Sequence, residues 1–411
     1  MNDTRTFRWM VLPVVMALLL AGPMASADVV TDWNVTAADI TFAAGLGPPP
    51  ANRTLALVQT AVYEAVNAIT KRYPPDRVTL NAAPDASVPA AVAAANRAML
   101  SRLVPSQQAA IDKASGSALG AIADGPAKTA GITVGEQAVA AVLAWRADDV
   151  AGAPERYRPA TTAGVYVPTV IPAVPQWPQR KPWVMTACDQ FRPGPPPALT
   201  SAVWVRDYNE IKAVGAKNST TRTPAQTEIA RFWEATAPTI YYPLVRSVAN
   251  MAGREVTQNA RLLATTAEAI DDAMIAVFDA KYYYNFWRPV TAIRNGDIDG
   301  NDATELDAGW LPFIDTPMHP EYPCAHCIVS GAVGAVLVAE IGSGPTPTLS
   351  TTSPSAPGVV RSWTKIDDFL LEVADARVYD GVHYRNSAEV GTAMGKKIGA
   401  LAAANALRPA N

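Results

Sequence analysis

The chain has 411 residues, of which 49% are hydrophobic and 17% charged, so it can bury a large core and is not disordered overall. Its 34 basic and 37 acidic residues give a net charge of −3, which excludes the basic surface that a nucleic-acid-binding protein needs. The three histidines, His319, His326 and His383, lie within one stretch of 65 residues. Any histidine-based chemistry is therefore confined to the C-terminal part of the chain.

The first 27 residues have the pattern of a secretory signal peptide. Arg5 and Arg8 precede an apolar run from Trp9 to Ala21, and residues 25–27 read Ala-Ser-Ala, a typical cleavage site. A transmembrane anchor is the alternative, but the run is shorter than the ~20 apolar residues that span a bilayer. We therefore predict a signal peptide at 1–27 and a periplasmic or secreted mature protein, without an integral membrane part, that begins at Asp28.

Residues 28–411 are expected to form one large all-α domain built on a helical bundle. Its predicted parts are N-terminal helices at 50–150, a Pro-rich segment at 151–200 and a catalytic bundle at 200–411. Strands are expected only as short pieces near 165–171, and residues 343–357 are expected to form a loop. Apolar periodicity predicts helices at 53–72, 88–103, 106–124, 127–149, 201–215, 223–236, 240–255, 258–287, 325–341, 365–379 and 387–405.

The Pro-rich segment contains 11 prolines and little apolar periodicity. Trp177 and Trp183 within it favour an ordered wrap over the bundle surface, because disordered segments contain few aromatic residues. A disordered linker is the alternative.

Three short segments contain the residues best suited to chemistry. In the first, Lys281 and Arg288 enclose an aromatic run with no acid between them. On a helix that continues to residue 287 they would lie two turns apart, on nearly one face and ~10 Å apart along the axis. The alternative is an exposed helix end with solvated cations.

The second segment reads His319-Pro-Glu-Tyr-Pro-Cys-Ala-His-Cys, and an apolar helix is predicted to begin at about Ala325. The first turn of such a helix offers free N–H groups and a positive dipole end to an oxyanion. A redox role for Cys324 and Cys327 is a weaker reading, because no βαβ pattern surrounds them. A zinc site would lack a fourth spaced ligand. A disulfide can join these two cysteines, or join one of them to Cys188.

In the third segment, Arg377 and His383 are six residues apart, and Asp380-Gly381 predicts a turn that brings both side chains to one point. The three segments together supply three cations and two imidazoles. Such a set suits a tetrahedral oxyanion, since arginine binds its oxygens bidentately and histidine can bind the central atom or transfer protons.

These segments resemble the signature of the superfamily of vanadium-dependent haloperoxidases and type-2 phosphatidic acid phosphatases, which reads K-x6-R-P, P-S-G-H and S-R-x5-H. Lys281 to Pro289 matches the first element, Pro323 and His326 match the second in part, and Arg377 to His383 matches the third in spacing. Residues 32–34 (Asp-Trp-Asn) and the helix at 53–72 are similar to the N-terminal part of exported bacterial members.

The resemblance implies an all-α fold and a role for each matching residue. His383 would be the vanadate ligand, or the nucleophile of a phosphatase, and His326 the acid–base group. The residues that would bind the oxygens of the anion are Lys281, Arg288, Arg377, the Ala325 N–H group and Cys324. Vanadate is the implied cofactor, and phosphate can occupy the same site.

The chain departs from the signature at three positions. Cys324 replaces the serine and donates a weaker hydrogen bond, Ala325 replaces the glycine, and Ser387 replaces an aspartate that often follows the ligand histidine by four residues. The acidic partner that orients His383 is therefore not identifiable from the sequence.

A haloperoxidase that uses hydrogen peroxide and halide is the preferred function. An exported acid phosphatase that cleaves phosphomonoesters through a phosphohistidine is the first alternative, and a member with neither activity is the second. The expected partners are small molecules rather than nucleic acid, and a homo-oligomer is compatible with the sequence.

Overall fold

The computed structural model describes residues 28–75, 77–149, 152–236 and 238–407, so the predicted signal peptide lies outside it. The described chain is mostly helical, which confirms the predicted all-α class. No helix in these ranges is both long and apolar enough to cross a membrane. The elements are α1 (Val29–Ala43), α2 (Pro48–Thr70), α3 (Val88–Leu103), α4 (Gln108–Gly120), α5 (Pro126–Trp145), α6 (Ala202–Val214), α7 (Pro224–Trp233), α8 (Pro238–Ala249), α9 (Val256–Tyr284), α10 (Pro289–Arg294), α11 (Ala325–Ile341), β1 (Leu349–Ser353), β2 (Ala356–Trp363), α12 (Ile366–Tyr379) and α13 (Arg385–Asn405).

Helix α9 forms the centre of the bundle. It is 29 residues long, and its side chains are buried on every face along most of its length. A helix that is buried all round must be surrounded by other elements, and α9 packs against α2, α11 and α13. This position places Lys281, in the last turn of α9, inside the protein.

Helices α11 and α13 approach each other closely because α13 carries glycine at every fourth position, 391, 395 and 399. A Cβ atom at Gly395 would lie only 2.1 Å from the carbonyl oxygen of Ile328, and one at Gly391 would lie 2.6 Å from that of Cys324. The two backbones are therefore in contact up to the first turn of α11. This contact fixes where α11 begins relative to the loop before α13.

The Pro-rich segment is an ordered wrap rather than a disordered linker. Between residues 152 and 200 the structure describes no regular element except a 3₁₀ turn at Trp177–Gln179, and Trp177 and Trp183 are buried. Asp272 of α9 accepts hydrogen bonds from the backbone N–H groups of residues 183–185, at 2.7, 2.9 and 3.0 Å. The segment is thus anchored to the central helix through its backbone.

The structure differs from the predicted elements at several places. Helices α1 and α10 and the antiparallel hairpin β1–β2 were not predicted, and the hairpin begins within the segment expected to form a loop. The expected strand near 165–171 is reduced to one isolated bridge between Val165 and Phe286. The helix expected to continue to residue 287 ends at Tyr284.

Candidate active site

The three segments predicted to carry chemistry meet at one buried place. Lys281 lies in the last turn of α9 and Arg377 in the last turn of α12, whereas His383 lies in the loop that leads into α13. Residues 324–326 form the start of α11. All the predicted site residues are at most 9% exposed, so the site is enclosed by protein.

Lys281 and Arg288 do not share a helix face, contrary to the prediction. Helix α9 ends because Asn285 adopts a left-handed conformation, with φ at 49°, and its N–H group donates to the carbonyl of Lys281. Arg288 is the extended N-cap residue of α10, as expected for a residue that precedes proline. The turn at Asn285 directs the chain back, so that Arg288 still reaches the site that Lys281 enters.

Hydrogen bonds at both ring nitrogens fix the orientation of His383. Nη1 of Arg288 lies 3.3 Å from Nε2 of His383, and since arginine can only donate, Nε2 is the acceptor and carries no proton. Nδ1 therefore carries the proton, which it donates to Oε1 of Glu321 at 2.8 Å. The lone pair of Nε2 is thus directed toward the cationic side of the site.

Glu321 is the acidic partner that the sequence did not reveal. It is fully buried, and the N–H group of Tyr384 donates to the same carboxyl oxygen at 3.1 Å. Nζ of Lys281 donates to the main-chain carbonyls of Glu321, at 2.7 Å, and Pro320, at 3.0 Å, which holds the loop in place. The only signal in the sequence was an acid enclosed between two prolines shortly before α11. Ser387 lines the same small void as Glu321.

The turn predicted at Asp380-Gly381 brings Arg377 and His383 together. Gly381 has a φ of 79°, and a Cβ atom there would lie 2.3 Å from the carbonyl oxygen of Gly215. The N–H group of His383 donates to the carbonyl of Arg377 at 3.2 Å. Nη1 of Arg377 donates to Asp380 at 2.6 Å, which orients the guanidinium group within the site.

Several buried polar atoms at the site have no hydrogen-bond partner in the part of the chain that the structure describes. Two of them are Nε2 of His326 and Nε of Arg377. Buried polar groups in native proteins are nearly always paired, so these two point to a polar group that binds between them. Ala325 and His326 lie in the first turn of α11. The backbone N–H groups of a first turn have no hydrogen-bond partner within the helix.

Cys324 is the N-cap residue of α11, and its sulfur accepts a hydrogen bond from the N–H group of Cys327 at 3.3 Å. Cys188, Cys324 and Cys327 are all free thiols, so none of the three disulfides considered is formed in this structure. Among the described residues no group of three or more His, Cys, Asp or Glu side chains could hold a metal ion.

His319 joins the site although the sequence assigned it no role. Its Nδ1 lies 3.0 Å from Nη2 of Arg288, and its carbonyl accepts from Nε of the same guanidinium group at 2.9 Å. The ring packs edge-on against Phe278, with the ring centroids 5.3 Å apart. Arg288 is therefore held between two histidine rings.

Burial shifts the pKa values of Lys281, Arg288, Glu321 and the two site histidines. It lowers the pKa of Lys281 well below the usual range and that of Arg288 to about 10, and it raises the pKa of Glu321 to about 7. The pKa values of His326 and His383 lie well below normal because of burial and then because of the neighbouring cations. The cations are incompletely compensated, which is the condition under which an enclosed oxyanion binds favourably.

A known protein family matches the part of the chain that forms this site. The family model described as "VCPO second helical-bundle domain" matches residues 261–411, the part of the chain that contains every predicted site residue. The C-terminal part of the chain is therefore similar to this vanadium haloperoxidase domain. No family assignment follows from this match for the helices before residue 261.

The chain is also similar to the vanadium chloroperoxidase of Curvularia inaequalis, to which it is 30% identical over 36% of its length. The match spans only 29% of that protein's length. Among solved structures, a bacterial vanadium-dependent iodoperoxidase superposes with a TM-score of 0.78 at 24% identity, covering 92% of this chain and 96% of its own. An apo-type bacterial vanadium-dependent chloroperoxidase gives 0.70 at 17% identity, with coverages of 87% and 94%. These two structures show that the fold is shared over most of the chain.

A surface cleft of about 660 Å³ reaches the candidate site at Arg288. Its walls come from the Pro-rich segment, through Tyr166 and Val170, and from the loop after α10, through Leu311 and Met318. The Pro-rich wrap therefore helps to form the approach to the site.

Proposed function

We propose that this protein is an exported enzyme of the vanadium haloperoxidase type, which binds vanadate at Nε2 of His383 and oxidises halide with hydrogen peroxide. The observation that carries the proposal is the orientation of His383. Because Glu321 accepts the Nδ1 proton, Nε2 carries no proton, and its lone pair, which accepts from Nη1 of Arg288 in this structure, would bind the anion in place of that bond.

The residues present fit a tetrahedral oxyanion such as vanadate. Burial lowers the pKa values of His383 and His326 most. Arg288, Lys281 and Arg377 lower that of His383 further, and Arg377 and Lys281 lower that of His326. The unpartnered Nε2 of His326 and Nε of Arg377 are buried polar atoms suited to its oxygens. Phosphate has nearly the same shape and charge and would bind to the same groups.

In this proposal vanadate supplies the electrophilic centre at which peroxide is activated toward halide. The chain binds that group through Nε2 of His383, and Glu321 keeps the Nδ1 proton in place and strengthens the basicity of the ring. Arg288, Arg377 and Lys281 balance the negative charge, and the first turn of α11 adds the positive end of its dipole. The surrounding protein excludes bulk water, which strengthens each of these interactions.

His326 is suited to transfer protons. Its Nε2 is buried and unpartnered, and its pKa is held well below normal by burial and by Arg377. A neutral imidazole can accept a proton from peroxide and then donate it to a departing oxygen.

An exported acid phosphatase is the second candidate, because Nε2 of His383 could equally attack a phosphomonoester. Phosphate and vanadate are not distinguished by three cations and two imidazoles. The cleft at Arg288, with a volume of about 660 Å³, is large enough for a halide or for an ester group. Export rests on the sequence pattern of residues 1–27.

A paired assay of the purified protein tests the proposal. Halogenation of an activated phenol is measured with orthovanadate, hydrogen peroxide and each halide in turn, and hydrolysis of p-nitrophenyl phosphate is measured without vanadate. We expect vanadate-dependent halogenation that is lost in His383→Ala and retained in Glu136→Gln, a control on the exposed face of α5. Ester hydrolysis without halogenation would instead assign the phosphatase activity, and the absence of both would overturn the proposal.

A further inference from the structure

Cys324 and Cys327 form a pair of thiols in direct contact at the start of α11. They occupy the N-cap and third helical positions, and both are fully buried. The sulfur of Cys324 accepts from the N–H group of Cys327 at 3.3 Å and also from the Cys327 thiol. The proposed function assigns no task to the second thiol.

The two sulfurs have different environments. Cys324 lies at the positive end of the α11 dipole and near Arg377 and Lys281, all of which favour a negative sulfur. Its pKa is lowered by the hydrogen bonds and by these cations despite burial, whereas burial raises the pKa of Cys327. One sulfur is therefore suited to act as a nucleophile, and the other retains its proton.

Cys188 provides an internal comparison. Its thiol donates to the Asp279 carboxylate at 3.6 Å, and burial and that carboxylate raise its pKa to about 11. It is more exposed than the other two cysteines, but in the described chain it has no second thiol beside it. If exposure governed oxidation, Cys188 would react first.

We propose that Cys324 and Cys327 are a peroxide-reactive dithiol that closes reversibly to a disulfide at the edge of the anion site. The Cys324 thiolate attacks one oxygen of hydrogen peroxide. An S–O bond forms, the O–O bond breaks, and the departing hydroxide takes up a proton to leave as water. The Cys327 sulfur then attacks Cys324, so that the S–S bond forms, the S–O bond breaks and a second water leaves with the Cys327 proton. Two electrons pass from the thiols to peroxide, and a small thiol can reverse the change.

The start of α11 can accommodate this closure. Side chains three residues apart on a helix have Cβ atoms about 5–6 Å apart, and a disulfide needs about 3.5–4.5 Å. Cys324 is not held in helical geometry, since its ψ of 122° is extended, so it can move toward Cys327. Access of peroxide rests on the proposed function, because the opening that admits peroxide to His383 also brings it to Cys324.

Closure would protect the site from its own oxidant. A sulfenic acid without a neighbouring thiol is oxidised further to the irreversible sulfinic acid. The adjacent Cys327 captures the sulfenic acid first, and the disulfide then persists until a thiol reduces it.

The test treats the fully reduced full-length protein with one equivalent of hydrogen peroxide, then alkylates it and analyses its peptides by mass spectrometry without reduction. We expect the peptide that contains residues 324 and 327 to lose both free thiols together, at least about tenfold faster than Cys188 loses its own, because the thiolate is the reactive form. Dithiothreitol should restore both. Earlier oxidation of Cys188, or direct conversion of Cys324 to a sulfinic acid, would overturn the proposal.

Cysteine variants distinguish the nucleophile, Cys324, from the second thiol, Cys327. Cys327→Ser should leave Cys324 as a sulfenic acid that dimedone traps, and Cys324→Ser should leave Cys327 reduced. Cys188→Ser is the matched control and should not change the closure rate. Equal oxidation of Cys327 in the Cys324→Ser variant would contradict the assignment of the nucleophile, and the wild-type measurement decides the matter if a variant does not fold.

Inorganic phosphate, which is not an oxidant, tests whether the dithiol lies next to the anion site. An anion bound at the first turn of α11 covers Cys324, so phosphate should slow closure. If phosphate does not change the rate of disulfide closure, the dithiol does not lie at an anion site, which counts against the proposed function. If the disulfide does not form even without phosphate, only the dithiol proposal is contradicted.

Discussion

The carboxylate of Glu321 accepts the Nδ1 proton of His383 at 2.8 Å, and both residues are buried inside the protein. This pair determines which ring nitrogen carries no proton. It places a carboxylate behind the histidine from the loop before α11 rather than from the helix after it, where the chain has Ser387. The orienting acid thus comes from a different element than the signature indicates.

Replacement of the acid should weaken binding of the anion. Glu321→Gln retains the size of the side chain but removes the charge that stabilises the Nδ1 proton, and loss of such a partner typically costs about 10–100-fold in metal affinity or activity. We expect a loss in this range in the affinity for orthovanadate, measured by equilibrium dialysis. Glu136→Gln is the matched exposed control, and equal affinities in the two variants would show that Glu321 does not act through His383.

The sequence predicted which residues converge better than it predicted how they are arranged. The spacings of Lys281, Arg288, Arg377 and His383 identified residues that do converge. The continuous helix across Lys281 and Arg288 was wrong, because the left-handed conformation of Asn285 ends α9 and local propensity gives little warning of it. Glu321 could not be predicted, since only the tertiary placement of its loop brings it to His383.

The elements that the sequence did not predict also depend on tertiary contacts more than on local propensity. Helix α1 contains several β-branched and polar residues, so its intrinsic helix propensity is low. It is held by contacts far along the chain, such as the hydrogen bond from Arg246 to Asn34 at 2.7 Å. The hairpin β1–β2 is rich in Ser and Thr, which is also typical of loops, and Leu349 is buried while most of β2 is not.

Replacement of His383 and replacement of His326 should have different effects on vanadate affinity and on turnover. His383→Ala removes the atom that binds the central atom of the anion, so vanadate binding and activity should both be lost. His326→Ala should reduce turnover by about 10²–10⁴-fold, the usual value of proton transfer, with a smaller effect on affinity. Equilibrium dialysis combined with steady-state kinetics measures both quantities, and full activity in His383→Ala would refute the site assignment.

Vanadate and phosphate should exclude each other, because one set of cations serves both. Added inorganic phosphate should slow reconstitution of the apoprotein with vanadate and raise its apparent dissociation constant in proportion to the phosphate concentration. ⁵¹V NMR of bound and free vanadate measures this directly. Stoichiometric binding of both anions at once would mean that the cations belong to two separate sites.

The contact between α11 and α13 should tolerate no added carbon. Gly395→Ala would place a methyl group 2.1 Å from the Ile328 carbonyl oxygen, so the helices must separate. We expect a loss of about 1–3 kcal/mol in the free energy of unfolding, as for other overpacked cores. Gly116→Ala in α4 meets nothing within 4 Å and should be neutral or stabilising by up to about 1 kcal/mol. Urea denaturation of both variants checks the contrast, which fails if they are equally stable.

The anchor of the Pro-rich wrap should make stability depend on pH. Burial raises the pKa of Asp272 from 3.8 to about 7, against the effect of its three backbone N–H bonds. The folded state therefore binds this proton more strongly than the unfolded state does. Its contribution to stability is greatest below about pH 4, falls as the pH rises to about 7, and is constant above that.

Comparison with Asp272→Asn isolates this contribution, since the amide does not titrate. The free energy of unfolding of the wild type minus that of the variant should fall by about 2–3 kcal/mol between pH 5 and pH 7, at about 1.4 kcal/mol for each unit over which the proton is released. Urea denaturation at a series of pH values measures the difference, and Asp85→Asn, at an exposed position, should show no such slope. A difference that is flat or rises with pH would mean that Asp272 is ionised in the folded protein throughout this range and that its three N–H bonds outweigh its burial.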